Sequence, residues 1–224
     1  MSKMIEFSRP DGKKAPGYYA SPASGDGAPS VVIIQEWWGL NDQIKKTADR
    51  VAATGFRALV PDLYRGDVLK DADEANHRME ELDWEDACTQ DIRGALQHLG
   101  LTGKKAGVMG FCMGGALTLM SAAKLEEPSA AVCFYGIPPE DAADPAKIQC
   151  PVLCHFASDD DWCNAERIAA LEARLSAGDV DARVHVYEKT KHAFFNETRP
   201  EVYDNEASAM AWARSIDFLK KHLS

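Results

Sequence analysis

The stretch Gly110-Phe111-Cys112-Met113-Gly114-Gly115 carries the candidate nucleophile. Before it runs Lys105 to Met109, a short apolar segment with strand character, and after it Ala116 to Lys124, which reads as a buried helix. A Gly-x-Cys-x-Gly turn between a strand and a helix is a nucleophile elbow, with sulfur in place of a serine oxygen. The turn lifts the Cys112 side chain above the end of the sheet. Strand and helix then pass so closely that Gly110 and Gly114 have no room for a side chain. Free N–H groups at the start of the helix favour negative charge there, on a thiolate or an oxyanion. The bland alternative is a glycine-rich turn with a buried cysteine.

A thiol nucleophile needs a base, and the base needs an orienting acid. Of six histidines, His98 and His222 lie in the last turns of helices, His77 in a polar segment, and His155 and His185 inside strand patterns. His192 lies in a loop just past the last strand, where the base of such an architecture belongs. The acid should follow the preceding strand, where Asp159, Asp160 and Asp161 compete. The chain order nucleophile, acid, histidine fits the α/β-hydrolase pattern. Glu36 ends a buried apolar strand, on the side where ligands approach α/β sheets. Its structural alternative is an ion pair with Arg57 or Arg65. The loop at Glu36 is expected to supply an oxyanion-binding N–H from Trp37, beside that of Met113.

These groups need a scaffold. Val31 to Ile34 is a continuous β-branched run, the mark of a central parallel strand. Strand patterns recur at 5–7, 17–20, 56–60, 131–135, 152–156 and 184–187. Helical patterns separate most of them: one after Asn41 or Asp42, one from about Trp84 to Leu99, one ending near Gly178, and a last with Trp212, Ile216, Leu219 and Leu223 on one face. Strands alternating with helices on right-handed crossovers predict an open, mostly parallel sheet with helices on both faces. Residues 1–224 read as one domain, and Arg65 to Asp83 is the longest polar excursion, too short for a large cap.

Composition narrows the partners. The formal net charge of −10 argues against nucleic acid and anionic membranes. No apolar run approaches the roughly 18 residues of a membrane span. The N-terminal residues lack a signal-peptide pattern, so a cytoplasmic protein is expected, and the partner expected is a small-molecule substrate of a monomer. Cys150, Cys154, His155 and Cys163 could suggest a metal site. Cys150 to Cys154 spans a strand, however, which sets the Cα atoms about 13 Å apart at about 3.3 Å per residue. That is too far for two sulfurs each about 2.3 Å from one zinc. No metal and no organic cofactor are expected.

Together the residues resemble the dienelactone hydrolase (carboxymethylenebutenolidase) family of the α/β-hydrolase superfamily. The specific pieces are Gln35-Glu36-Trp37-Trp38-Gly39-Leu40-Asn41, Pro61-Asp62-Leu63-Tyr64, Gly110-Phe111-Cys112-Met113-Gly114-Gly115 and Lys191-His192-Ala193-Phe194. The resemblance implies Cys112 as nucleophile, His192 as base and Asp160 as acid, since His155 to Asp160 falls in register with the family's strand and turn. It also implies that Glu36 contacts the Cys112 thiol and takes its proton when substrate enters. The family's best-known members hold a substrate carboxylate with two arginines. Here one of those positions is Asn196, and the other falls near Arg78. Arg78, Arg199 and Tyr135 are therefore candidate substrate contacts. The expected reaction is hydrolysis of an activated ester, first an enol lactone. The alternatives are a general carboxylesterase or thioesterase, or a non-catalytic thiol redox or binding protein on the same scaffold.

Overall fold

The computed structural model describes residues 1–25 and 27–223. Eight strands form one sheet in the order β1-β2-β4-β3-β5-β6-β7-β8. They are β1 (Ser2–Ser8), β2 (Lys14–Ala20), β3 (Ser30–Ile34), β4 (Arg57–Pro61), β5 (Ala106–Phe111), β6 (Pro128–Phe134), β7 (Val152–Asp159) and β8 (Ala182–Lys191). β2 runs antiparallel to both β1 and β4, and the remaining pairs are parallel. The apolar run of β3 is buried throughout, as a central parallel strand requires.

The helices are α1 (Asp42–Ala53), α2 (Ala72–Glu80), α3 (Trp84–Asp86), α4 (Arg93–Gly100), α5 (Met113–Lys124), α6 (Ala165–Ala177) and α7 (Asn205–Leu223). Two apolar clusters lie on opposite faces of the sheet. One gathers Val32, Ile34 and Val108 with Leu96, Leu117 and Leu171, and the other gathers Val31, Ile33 and Met109 with Ile44, Val51 and Leu219. Alternate residues of one strand feed opposite clusters, which follows from the two-residue side-chain period of a strand.

Three details differ from the sequence expectation. β1 and β2 are longer than the short strands around Pro10-Asp11-Gly12, because their pairing runs from Ser2 with Ala20 to Ser8 with Lys14. The last strand continues through Lys191 instead of stopping at Tyr187, so His192 directly follows it. The single helix expected from Trp84 to Leu99 contains a π-helical turn over Ala87–Ile92. Within it, buried Asp91 accepts from Arg9 at 3.1 Å and from Arg65 at 2.8 Å. That carboxylate ties the helix to the loops after β1 and β4.

Candidate active site

The site lies at the C-terminal ends of β3, β5, β6, β7 and β8. Cys112 joins β5 to α5 with φ 55° and ψ −118°, a backbone region that L-residues rarely adopt. A Cβ on Gly110 would overlap the Gly114 carbonyl, and one on Gly114 would overlap the Ile34 carbonyl. The crossing of β3, β5 and α5 is thus close enough to require glycine at both places. Cys112 itself donates its N–H to the Phe134 carbonyl at 3.0 Å, which fixes the turn against β6. Among the described residues, the N–H groups of Met113 and Trp37 have no acceptor. Both belong to the two segments that meet at Gly114. Beneath them, the Tyr64 hydroxyl lies 3.4 Å from the Met113 sulfur.

His192 Nδ1 lies 2.7 Å from Asp160 Oδ2. Asp160 Oδ1 accepts from the Trp162 and Cys163 N–H groups at 2.8 and 3.0 Å. Asp159 and Asp161 are exposed, and Asp159 instead takes the Ser158 hydroxyl. Burial by itself would raise the Asp160 carboxyl, but the bond to His192 and the two N–H donors outweigh it and hold Asp160 below its usual range. Burial by itself would lower His192. Its bond to Asp160 and the nearby Cys112 sulfur outweigh that and push it up to about 10. His192 Nε2 is buried and has no aligned hydrogen-bond acceptor, so the Cys112 sulfur acts on the ring by proximity and charge. His155, by contrast, is a core residue between the Tyr187 and Ser215 hydroxyls, at 2.9 and 3.0 Å.

Glu36 departs from the ion-pair expectation for it. Neither Arg57 nor Arg65 pairs with it: Arg57 caps the carbonyls of Ala28 and Leu99, and Arg65 binds Asp91. Nor does a hydrogen bond join Glu36 to the Cys112 thiol. Its Oε1 accepts from the Tyr135 hydroxyl at 3.2 Å, and its Oε2 from Asn196 Nδ2 at 2.7 Å. Burial pushes the Glu36 carboxyl above its usual range, and the two donated bonds offset this only in part. Tyr135, expected as a substrate contact, is 1% exposed with its hydroxyl committed to Glu36. Asn196 is the residue that sequence reasoning passed over as a Glu36 partner. Its only signal was that it occupies a position where the resemblance implies arginine.

The cavity beside Cys112 holds about 30 Å³ and is lined by Glu36, Trp37, Trp38, Trp162, His192 and Arg199, among others. That is room for a water molecule or two, and a lactone needs far more. Trp37 meets Trp38 and Trp162 edge to face, at 5.2 and 5.4 Å between ring centres. Trp162 is 44% exposed, so it is the wall most free to move. Arg199 faces the cavity and pairs with Glu201 at 2.8 Å. Arg78 does not line the cavity. It stacks over the Tyr64 ring at 4.8 Å and pairs with Asp67 at 3.5 Å. A larger groove of about 620 Å³ lies between residues 137–145 and α6, away from Cys112, and it brings together no nucleophile and base.

The sequence matches the model of the dienelactone hydrolase family over residues 15–223. The chain belongs to the dienelactone hydrolase family. A dienelactone hydrolase of this kind is a hydrolase of esters or lactones. Over 234 aligned residues it is 35% identical to the protein usf of Aquifex pyrophilus, covering all of both chains. It is 33% identical, again over the whole of both chains, to a putative carboxymethylenebutenolidase of Aquifex aeolicus. Its fold is similar to the crystal structure of a putative dienelactone hydrolase from Klebsiella pneumoniae, with TM-score 0.87, 24% identity and 99% of each chain covered. No helix among the described residues of this family member is long and apolar enough to cross a membrane.

Proposed function

We propose that the protein hydrolyses an activated carboxylic ester, first among them an enol lactone, through an acyl-enzyme on Cys112. The observation that carries this reading is the chain of groups Cys112, His192 and Asp160, with the 2.7 Å bond between the last two, facing two unused N–H groups. The proton of the Cys112 thiol rests on His192 Nε2, which its surroundings raise to about 10, and Cys112 Sγ attacks the carbonyl carbon as the thiolate. Asp160 holds the imidazole in the required tautomer and stabilises its cation. The Met113 and Trp37 N–H groups receive the charge that develops on the carbonyl oxygen. As the tetrahedral centre collapses, the ester C–O bond breaks and the leaving oxygen takes the proton from Nε2. Water then gives its proton to His192, attacks the thioester and releases the acid with Cys112 restored. A thiolate is itself a good leaving group, so the scheme favours substrates whose alkoxide leaves easily, as an enolate does. Trp162 must shift to admit any of these substrates.

The name of the Aquifex aeolicus relative supports the lactone reading. The rival in the same class is a general carboxylesterase or thioesterase. Rates on a dienelactone, a p-nitrophenyl ester and an acyl thioester decide between them. The dienelactone is expected to be turned over most efficiently. A thioester or simple ester that outruns it would overturn the lactone assignment. If no ester acylates Cys112 under reducing conditions, as read by mass spectrometry, the acyl-enzyme itself is wrong.

A further inference from the structure

Trp162 is a wall of the cavity and also part of the turn that holds the proposed acid. Its indole lies 5.5 Å from the His192 ring and 5.4 Å from that of Trp37, between ring centres. Its N–H and that of Cys163 are the two donors to Asp160 Oδ1, so the backbone here sets the place of that buried carboxylate. The Trp162 carbonyl is held from the far side. Asn164 caps α6 by accepting from the Arg167 N–H at 3.0 Å, and the Arg167 side chain turns back over the loop. Its Nη1 donates to the Trp162 carbonyl at 2.5 Å, and its Nη2 to the Ile137 carbonyl at 3.1 Å. The planar guanidinium thus spans two neutral carbonyls, one in the loop after β7 and one in the loop after β6, as a clamp on backbone.

We propose that Arg167 is a positioning residue for the triad: by holding the Trp162 carbonyl it keeps the turn of residues 160–163 closed on Asp160, so the acid stays aimed at His192 while the Trp162 indole moves to admit substrate. The inference rests on the reading of Cys112, His192 and Asp160 as nucleophile, base and acid. The Trp162 carbonyl and the Cys163 N–H belong to one planar trans peptide unit, in which they point in opposite directions. Arg167 grips one end of that plane and Asp160 the other, so turning the plane breaks both bonds together. Rotation of the indole about its own χ angles leaves the plane in place. The entrance can therefore open without loosening the acid. Without Arg167 the plane is free to turn, and Asp160 loses a donor that fixes its direction. The titratable groups around Asp160 and Cys112 come from each neighbouring element: His192 after β8, Cys163 in the turn itself, Tyr64 after β4, Tyr135 after β6 and Glu36 after β3.

The test is the pH profile of Cys112 alkylation by iodoacetamide, without substrate, at high salt so that the exposed Arg167 charge is screened. Alkylation is assigned by peptide mass spectrometry and normalised to folded protein. Arg167→Ala should move the midpoint about half a pH unit upward, a roughly threefold loss on the acid limb, because a loosely aimed Asp160 supports the imidazolium less. Arg167→Lys, a single donor without the fork, should fall between Arg167→Ala and wild type. In an Asp160→Asn background, Arg167→Ala should move the profile no further, since the group it acts through is gone. On p-nitrophenyl acetate, Arg167→Ala should lower kcat roughly tenfold and leave KM within about twofold, because the indole wall is intact. An unmoved profile overturns the proposal, whatever the melting temperature does. A shift of equal size in the Asp160→Asn background also overturns it, because Arg167 would then act on the thiol directly. So does a rise in KM at constant kcat, which would make Arg167 a substrate contact. If Arg167→Ala does not fold, Arg167→Lys with and without Asp160→Asn decides in the same way. Failure of the acyl-enzyme reading shows up separately, as absence of Cys112 acylation by any ester in wild type, and the alkylation profiles still decide the role of Arg167.

Discussion

Glu36 and Asp160 are equally shielded from solvent, each 5% exposed, yet their surroundings push them in opposite directions. Asp160 faces an imidazole that can carry a full positive charge, and it takes two backbone N–H groups as well. Glu36 accepts from an amide and a phenol, both neutral. Removing a carboxylate from water always opposes its charge, and at Asp160 the imidazole bond together with two N–H donors reverses the balance, whereas at Glu36 the lowering contacts offset burial only in part. Two carboxyls of one site thus meet opposite electrostatic surroundings, and the proposed mechanism uses Asp160 as the one that stays ionised to orient the base.

The largest effect that tests this contrast is on turnover. Asp160→Asn is expected to lower kcat about 10⁴-fold, by the precedent of other triads. Asp159→Asn and Asp161→Asn should leave kcat within a few-fold. Similar small losses at all three positions would place the orienting acid elsewhere.

A second test uses the opposite signs of the two carboxyls. Glu36 is raised when folded, so the stability it contributes is present at low pH and is lost as pH rises from its ordinary value of about 4.3. Relative to wild type, Glu36→Gln should therefore gain in melting temperature as pH goes from about 4 to 8. Asp160 is lowered, so its contribution is present above about 3.9 and is lost as pH falls through its folded value. The deficit of Asp160→Asn should shrink in acid. His192, raised to about 10, contributes below about 6.5 and loses that contribution as pH rises through its folded value. Parallel difference curves for Glu36→Gln and Asp160→Asn would show that the two environments are not opposed.

The smallest effect concerns the two arginines. Arg199 lines the cavity, whereas Arg78 does not and stacks over the Tyr64 ring. Arg199→Ala is expected to raise KM for a carboxylated lactone by about three- to tenfold, the worth of an exposed charge contact. Arg78→Ala should leave KM unchanged. The reverse ranking would mean that the substrate enters over Tyr64.

Local pattern made much of this legible. The β-branched run of β3, the small residues around Cys112 and the alternation of strands with helices each record a constraint between neighbours in the chain. The strand–helix turn at Cys112 could be read because Gly110 answers a backbone clash with Gly114, four residues on. The choice among Asp159, Asp160 and Asp161 could not be made from spacing. It depends on which carboxyl turns inward toward a histidine 32 residues later. The Asn196–Glu36 bond spans 160 residues, and the Tyr135–Glu36 bond spans 99. Arg57 and Arg65 were plausible partners by charge alone. Each instead serves a buried polar group nearer to it in the fold, namely the end of α4 or Asp91.

The backbone of Cys112 has a consequence for how the protein can be altered. A φ of 55° with ψ near −118° is easy for glycine and costs a residue with a Cβ on the order of 1–3 kcal/mol. Stability and activity therefore compete at one position. Any search for hardier variants that is blind to function should drift toward glycine there. Comparing Cys112→Gly with Cys112→Ala isolates the cost, since both lack the thiol and only alanine keeps the Cβ. The glycine variant should melt about 2–4 °C higher for each kcal/mol of strain relieved. An alanine variant that melts at the same temperature would mean the neighbouring strands absorb the turn without cost.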